Sequence, residues 1–422
     1  MQEKNKIKIG IGFATGRKSF QKVLKNYVYN WQECGLTERK NVELNLFVAY
    51  DLQYKNTRSS DYTDLEEDVS KLIDNTYFMG HKAMEKESEY LIKENVITKK
   101  EAKLLFGGGY AAQRNTVLYA AIKNGIDYLL FLDDDEYPMA VTKTRWNAIW
   151  GGQDVLSTHL KSIEHADLTN GYHCGYISPI PYIEFNSTLG ENDFKYFIEA
   201  ISNDIINWDS IRSVMENGGV TYADTKILTS DTVEEVQEVN HTKFISGSNL
   251  CINLTDPMRV YPFYNPPGAR GEDTFLSTCL RDRKLLRVPC YTFHDGFSTY
   301  NHLLDGVLPI KLKYIQARNS KEIVDRFYKT CIGWIRYKPL LLYIIQRNQY
   351  KEKIQEMRDK LKATLPKICD YFRKEDFNHL FGELEKYHNN VENHYQQYRN
   401  IQTTWKKICD FIIDQQSIKN VV

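Results

Sequence analysis

The 422-residue chain has no long hydrophobic run: nowhere do 18 apolar residues stand together, which excludes a helical membrane span. Prolines number only 11 and no low-complexity tract occurs, so no long disordered linker is expected. Net charge is also missing. Lysines plus arginines and aspartates plus glutamates both number 55. A general nucleic-acid binder would show a basic excess, so no nucleic-acid partner is expected. The eight cysteines (34, 174, 251, 279, 290, 331, 369 and 409) are scattered, without a C-x-x-C pair or a histidine cluster. Neither a zinc site nor a disulfide framework is expected, and reduced core thiols are the default. Residues Met1 to Lys6 are polar and lead straight into an apolar strand with no signal-peptide pattern, so a cytoplasmic location is expected.

What the chain does have is Asp127-Tyr-Leu-Leu-Phe-Leu-Asp133-Asp134-Asp135-Glu136. An apolar run of this length reads as a buried strand of an α/β sheet. Four acids at its end repel one another unless a cation or a set of donors neutralises them. In open α/β sheets that end of a central strand is where ligands sit. Hard oxygen ligands there suit Mg²⁺ or Mn²⁺ carrying a substrate phosphate. A solvated acidic turn is the plainer alternative, and the buried strand before it weighs against that.

The surrounding pattern is strand–helix–strand. Lys6 to Phe13 reads as a first strand, followed by the small, basic loop Ala14-Thr15-Gly-Arg17-Lys-Ser and a helix from about Phe20 to Cys34. Asn41 to Tyr50 reads as a second strand ending at Asp51, and 66 to 100 as charged helix. A helix over about 111 to 124, stopped by Asn-Gly, precedes the acid-tipped strand. Further on, 175 to 183 reads as a strand interrupted by prolines, 192 to 217 as helix, and 285 to 293 as a strand ending at His294. From about 312 the pattern is helical to the end. This rhythm fits a doubly wound nucleotide-binding half. At this length one large domain with an addition, or two domains, is expected.

Residues 311 to 362 hold 14 lysines and arginines against 5 aspartates and glutamates, with the apolar run Pro339-Leu-Leu-Leu-Tyr-Ile-Ile among them. Two readings fit: peripheral docking on an anionic membrane surface, at the inner face for a cytoplasmic protein, or a helical subdomain with a solvated basic face.

Arg114-Asn115 in Gly-Gly-Tyr-Ala-Ala-Gln-Arg-Asn, then a helix, then Tyr-Leu-Leu-Phe-Leu-Asp-Asp-Asp, then Gly271-Glu272-Asp273-Thr and His294 resemble, in that order, the core of GT-A-fold glycosyltransferases. The likeness is greatest to family 2 of the inverting enzymes and covers roughly residues 6 to 300. It implies a GT-A domain over 1–310 with a helical C-terminal region over 311–422. It also implies transfer of a sugar from a UDP- or GDP-sugar donor to a hydroxyl of a glycan, lipid-linked or protein acceptor, with Mn²⁺ or Mg²⁺ as cofactor.

By that resemblance Asp135 ligates the metal, Asp133 faces the ribose and the metal shell, and His294 adds a further metal or phosphate contact. Thr15, Arg17 and Asp51 would meet the nucleoside, with Asp134 beside them. Arg114, with Asn115, would approach the base or phosphates. Ser246-Gly247 lies in the small-residue loop under the donor sugar. Asp273, with Glu272 next to it, is the candidate base that takes the acceptor proton. The sequence departs from the family after the second strand, where Asp51-Leu-Gln-Tyr replaces the usual small-acidic pattern. Three other readings stay open: a retaining transferase, since only the Glu272-Asp273 assignment favours inversion; a sugar-nucleotide pyrophosphorylase, partly matched by Gly12-Phe-Ala-Thr-Gly-Arg-Lys; and a silent glycan-binding module on the same fold.

Overall fold

Alternate residues of the first strand, β1 (Ile7–Thr15), face two different environments. In the computed structural model, Ile9, Ile11 and Phe13 are at most 1% exposed on one face of the sheet. Gly10 and Gly12 lie on the other. A Cβ at Gly12 would lie 2.7 Å from Val117 Cγ1, and one at Gly10 2.9 Å from Leu129 Cδ1. The glycines therefore let the helix Tyr110–Lys123 approach the sheet closely. The structure describes residues 6–419 apart from 37, 40, 203–207, 301, 302, 304, 305, 318 and 319.

Ten more strands follow among the described residues: β2 (Val42–Tyr50), β3 (Asn75–Met79), β4 (Tyr128–Leu132), β5 (Glu136–Tyr137), β6 (Met139–Lys143), β7 (Ala148–Gly152), β8 (Leu168–Gly175), β9 (Glu234–Glu235), β10 (Leu250–Asn253) and β11 (Leu285–His294). The main sheet runs β3-β2-β1-β4-β10-β8-β11-β5, β9 pairs with β11, and β6 and β7 form a separate hairpin. Strands β1 to β4 are mutually parallel, while β10 runs against both of its neighbours. The chain builds outward from β1 to β3 and then returns to the other side of β1 as β4. That reversal opens a crevice at the C-terminal ends of β1 and β4, the position where α/β sheets accept ligands.

Two cores cover the sheet. The helices Phe20–Glu33 and Val155–Ile163 pack with Ile11, Leu46, Leu130 and Leu132 on one face. On the other, Val117, Leu129, Phe131 and Leu250 join one continuous core with Phe327, Ile335, Leu361 and Trp405. These last four belong to the C-terminal helices Lys321–Ile345, Tyr350–Phe372 and Val391–Lys419, which with His379–Asn389 form the helical region. Packing is therefore unbroken across residue 310. Polar ties reinforce it: Lys407 Nζ meets Glu101 at 2.8 Å, and the Tyr264 hydroxyl donates to the His394 carbonyl at 3.1 Å.

Three expectations about elements need correcting. The stretch read as helix over 66 to 100 contains β3. An edge strand needs only partial burial, and Tyr77 secures it by stacking on Phe47 with centroids 4.6 Å apart. The proline-interrupted strand expected at 175 lies earlier, as β8. It stops at Gly175, whose φ of +89° turns the chain where a Cβ would strike Phe293 and the His294 carbonyl. The helix expected over 192 to 217 is two helices, Glu191–Ile201 and Trp208–Glu216, with the junction outside the described residues. In the apolar run at 339 to 345, Leu340, Leu341 and Leu342 are each 1% exposed and belong to the core, while Tyr343 and Ile344 are partly exposed. Among the described residues no helix is long and apolar enough to cross a membrane.

Candidate functional site

The parallel register of β1, β2 and β4 brings Thr15, Asp51 and the acids Asp133 to Glu136 to one end of the sheet. Thr15, 1% exposed, donates its hydroxyl to Asp134, and its Oγ1 accepts the Arg17 backbone N–H at 3.2 Å. That turn aims the Arg17 guanidinium back at the acids, where it pairs with Asp134 at 3.0 Å and with Asp135. Asp51 stands on the rim, its N–H bonded to the Thr15 carbonyl at 2.9 Å. Beside it Tyr54, 47% exposed, covers Gly16, where a Cβ would lie 2.7 Å from the Tyr54 Cβ. Gly12 belongs to β1 and faces the helix Tyr110–Lys123, so it is not part of a phosphate-cradling loop.

Arg114 lies beneath the acids rather than in the open crevice. It is 2% exposed and sandwiched between Phe131 and Phe263, its Cζ 5.3 and 5.6 Å from their centroids. Its fork meets Asp133 at 2.9 Å, Glu272 at 3.5 Å and the Gly247 carbonyl. One buried cation thus binds together the end of β4, the start of the helix Glu272–Ser277 and the 246–249 loop. Gly247 must be small, because a Cβ there would stand 3.0 Å from Arg114 Nη2. Asn115, also expected to meet the ligand, points into the protein. Its amide exchanges bonds of 2.7 and 2.9 Å with the Phe263 backbone, which anchors the segment leading to Glu272.

Asp273 is half-buried, and its carboxylate accepts the Thr274 N–H at 2.7 Å. Burial raises its pKa above the ordinary carboxylate value, with the Thr274 and Gly247 N–H groups and Arg114 opposing. Glu272 is raised as well, by burial and by Asp273 beside it. Ser246 receives its orientation from Asn170, whose Oδ1 accepts the Ser246 N–H at 3.0 Å.

The four consecutive acids are not equivalent. Burial pushes Asp133 up to about 6, with Arg114 opposing, and Asp134 up to about 7, with Arg17 and Thr15 opposing. For Asp135 burial acts the same way, but His294 at 3.4 Å and Arg17 outweigh it and hold the carboxyl well below its usual range. His294 is itself raised to about 9: burial opposes the proton, and Asp135 prevails. Glu136 is 4% exposed and accepts from Ser248 at 2.7 Å and Thr292 at 2.8 Å, with His173 at 3.4 Å. These partners overcome its burial and hold it at about 2. Glu136 therefore braces the floor of the site.

Asp135 and His294 are the pair suited to a divalent cation. Among the described residues no three His, Cys, Asp or Glu side chains converge on one point. Two protein ligands suffice for Mg²⁺ or Mn²⁺ when substrate phosphate and water complete the shell. Asp135 supplies such a carboxylate, with Asp133 two residues away, and His294 can join it as a ligand on giving up the proton that Asp135 stabilises there. His173 escaped the sequence reading because a single histidine within a strand carries no pattern. Tyr176 and Tyr264, at 0% and 3% exposure, are core residues. Neither a protein-family model nor a curated protein sequence matches this chain.

Proposed function

We propose that the protein is a metal-dependent glycosyltransferase of the GT-A type. It would move a sugar from a UDP- or GDP-linked donor to a hydroxyl acceptor with inversion, in the synthesis of a surface glycan or glycoconjugate within the cytoplasm. The observation that carries this reading is the joining, through the buried Arg114, of the acid-tipped β4 to the Glu272-Asp273 pair. Two carboxylate groups with different surroundings then face one crevice at the switch point of the sheet.

In this reading Asp135 and His294 hold the ion, and Asp133 supports it. The ion's chemistry is to stabilise the charge of the departing diphosphate. Thr15 and Arg17 close the nucleoside side, with Asp51 at the rim. Asp273 takes the proton from the acceptor hydroxyl as that oxygen attacks the anomeric carbon, and the sugar–phosphate bond breaks on the opposite face. Burial raises Asp273, which makes it a stronger base than an exposed aspartate. Glu272, bound to Arg114, keeps the segment in position.

The test is a binding and hydrolysis screen of UDP-, GDP-, CMP- and dTDP-sugars with and without Mn²⁺, using Asp135→Ala as control. The expected result is metal-dependent binding or turnover of one donor, abolished in the variant. Consumption of a nucleoside triphosphate with pyrophosphate release would instead establish the pyrophosphorylase reading. A folded protein that binds no metal and no nucleotide would leave the glycan-binding module.

A further inference from the structure

The helix Lys321–Ile345 belongs to the C-terminal region, yet it delivers one side chain to the edge of the acid cluster. The Arg326 guanidinium lies over Phe297, its Cζ 4.4 Å from the ring centroid. Phe297 is three residues beyond His294, and between them Gly296 leaves room for the contact. A Cβ at Gly296 would lie 2.7 Å from Arg326 Nη2 and 2.8 Å from His294 Cε1, so guanidinium and imidazole are immediate neighbours.

The surroundings of Arg326 differ from those of the other arginines here. Arg17 and Arg114 are each tied to two carboxylates. Arg326 has no hydrogen bond from its guanidinium and no ion pair among the described residues. It is half-buried, and burial depresses its proton affinity. Asp135 is the carboxylate whose field it feels most, while Arg17 and Arg270 repel it. Arg17, by contrast, is neutralised by its pairing with Asp134 and Asp135. A partly desolvated guanidinium with no anion of its own is a fork suited to phosphate oxygens, and the aromatic ring beneath it favours its charge.

We propose that Arg326 binds the diphosphate of the nucleotide donor, so that the C-terminal helical region completes the donor site of the α/β half. The assignment rests on the donor reading above. It adds a residue from a segment outside the family likeness. Gly296 is the residue that permits this placement, since a Cβ there would crowd the guanidinium, the His294 ring and the Tyr176 carbonyl together.

The experiment is isothermal titration of the full-length protein with UDP, GDP, CDP and dTDP in Mn²⁺, and with the corresponding nucleosides. It is run on wild type, Arg326→Gln and Arg326→Lys, with thermal melting to confirm folding. One diphosphate is expected to bind wild type. Arg326→Gln should bind it at least tenfold more weakly, with nucleoside affinity unchanged, and Arg326→Lys should fall between. A folded Arg326→Gln that binds the diphosphate as wild type does would overturn the Arg326 assignment alone. A loss of nucleoside and diphosphate affinity in equal measure would also overturn it, as a structural effect. If wild type binds none of the four diphosphates, the donor reading fails and this assignment fails with it.

Discussion

Replacing Arg114 with methionine tests whether the candidate site is held together by one buried cation. Methionine retains most of the apolar contact with Phe131 and Phe263 and removes the charge between Asp133, Glu272 and the Gly247 carbonyl. Removing one partner from a buried ion pair typically costs about 3–5 kcal/mol, because the other charge is left without compensation. Here a low-end loss of about 3 kcal/mol at pH 7 is expected, because the stranded carboxylates can escape by taking up protons.

That escape gives the loss a pH signature. In wild type Asp133 has a folded pKa of about 6, above its unfolded value of about 3.9. A raised carboxylate is destabilising, and the penalty grows as pH rises from the unfolded to the folded pKa and is constant above it. Without Arg114 the folded pKa moves higher still, so the variant keeps losing stability above pH 6, at about 1.4 kcal/mol per unit for each carboxylate concerned. At pH 5 both proteins hold Asp133 mostly protonated. The difference should then shrink to about 1–2 kcal/mol, the cost of the unpaired Gly247 carbonyl. Urea unfolding of both proteins at pH 5, 6, 7 and 8 measures this directly. Adding Asp133→Asn to the variant should restore part of the loss at pH 7. A loss below 1 kcal/mol at pH 7, or one constant from pH 5 to 8, would refute the reasoning.

Three other outcomes follow from named contacts. Asp273→Asn should lower the transfer rate by about 10²–10⁴-fold while leaving donor affinity within twofold or so, because it removes a proton acceptor and not a donor-binding group; equal transfer rates would exclude Asp273 as the base. His159 is fully buried between Thr169 (2.6 Å) and Asn249 (2.8 Å), and burial lowers it to about 4. Below pH 6.5 the unfolded chain takes up a proton that the fold refuses, so stability falls as pH drops from 6.5 to 4, by about 3 kcal/mol in total. His159→Gln should remove that part of the acid slope, and parallel stability–pH curves would count against it. Gly12→Ala should cost about 1–3 kcal/mol in urea, since its Cβ would lie 2.7 Å from Val117 Cγ1; an unchanged midpoint would show that the helix yields freely.

Legibility in the sequence followed the range of the forces. The strand bearing Asp133 to Glu136 is readable because five apolar side chains in a row need burial on both faces, and β4 lies inside the sheet. β1, β2 and the helix Tyr110–Lys123 are readable for the same reason: each carries its own period. The edge strand β3 is not, since its residues are only partly buried and it depends on a neighbour, Phe47, for its packing. Within the site, residue type alone could not separate Arg17 from Arg114. Both are arginines near Gly-rich segments, yet one stands at the mouth of the crevice and the other beneath its floor. That difference arises from Phe131 and Phe263, which meet only when the chain has closed on itself.

The C-terminal region is illegible in the sequence for the same physical reason. Its excess of basic residues reads as a surface property when taken along the chain. In the fold, several of these charges are tied to particular partners. Arg358 reaches Glu385, Lys360 reaches Glu199, and Arg336 grips Glu383 at 2.7 Å and the Gly268 carbonyl at 2.8 Å, steadying the loop before Glu272. Tyr337, on the next position of that helix, packs against Gly271, whose φ of +91° starts the turn into Glu272 and Asp273. A Cβ at Gly271 would meet that ring at 3.0 Å, so the turn and the helix constrain each other. The helix Lys321–Ile345 therefore acts on the site at two places: through Arg336 and Tyr337 on the Glu272-Asp273 turn, and through Arg326 beside His294. A region that shares the core and fixes both ends of the crevice is part of the site's construction, and its truncation should disturb the placement of Asp273 as well as the fold.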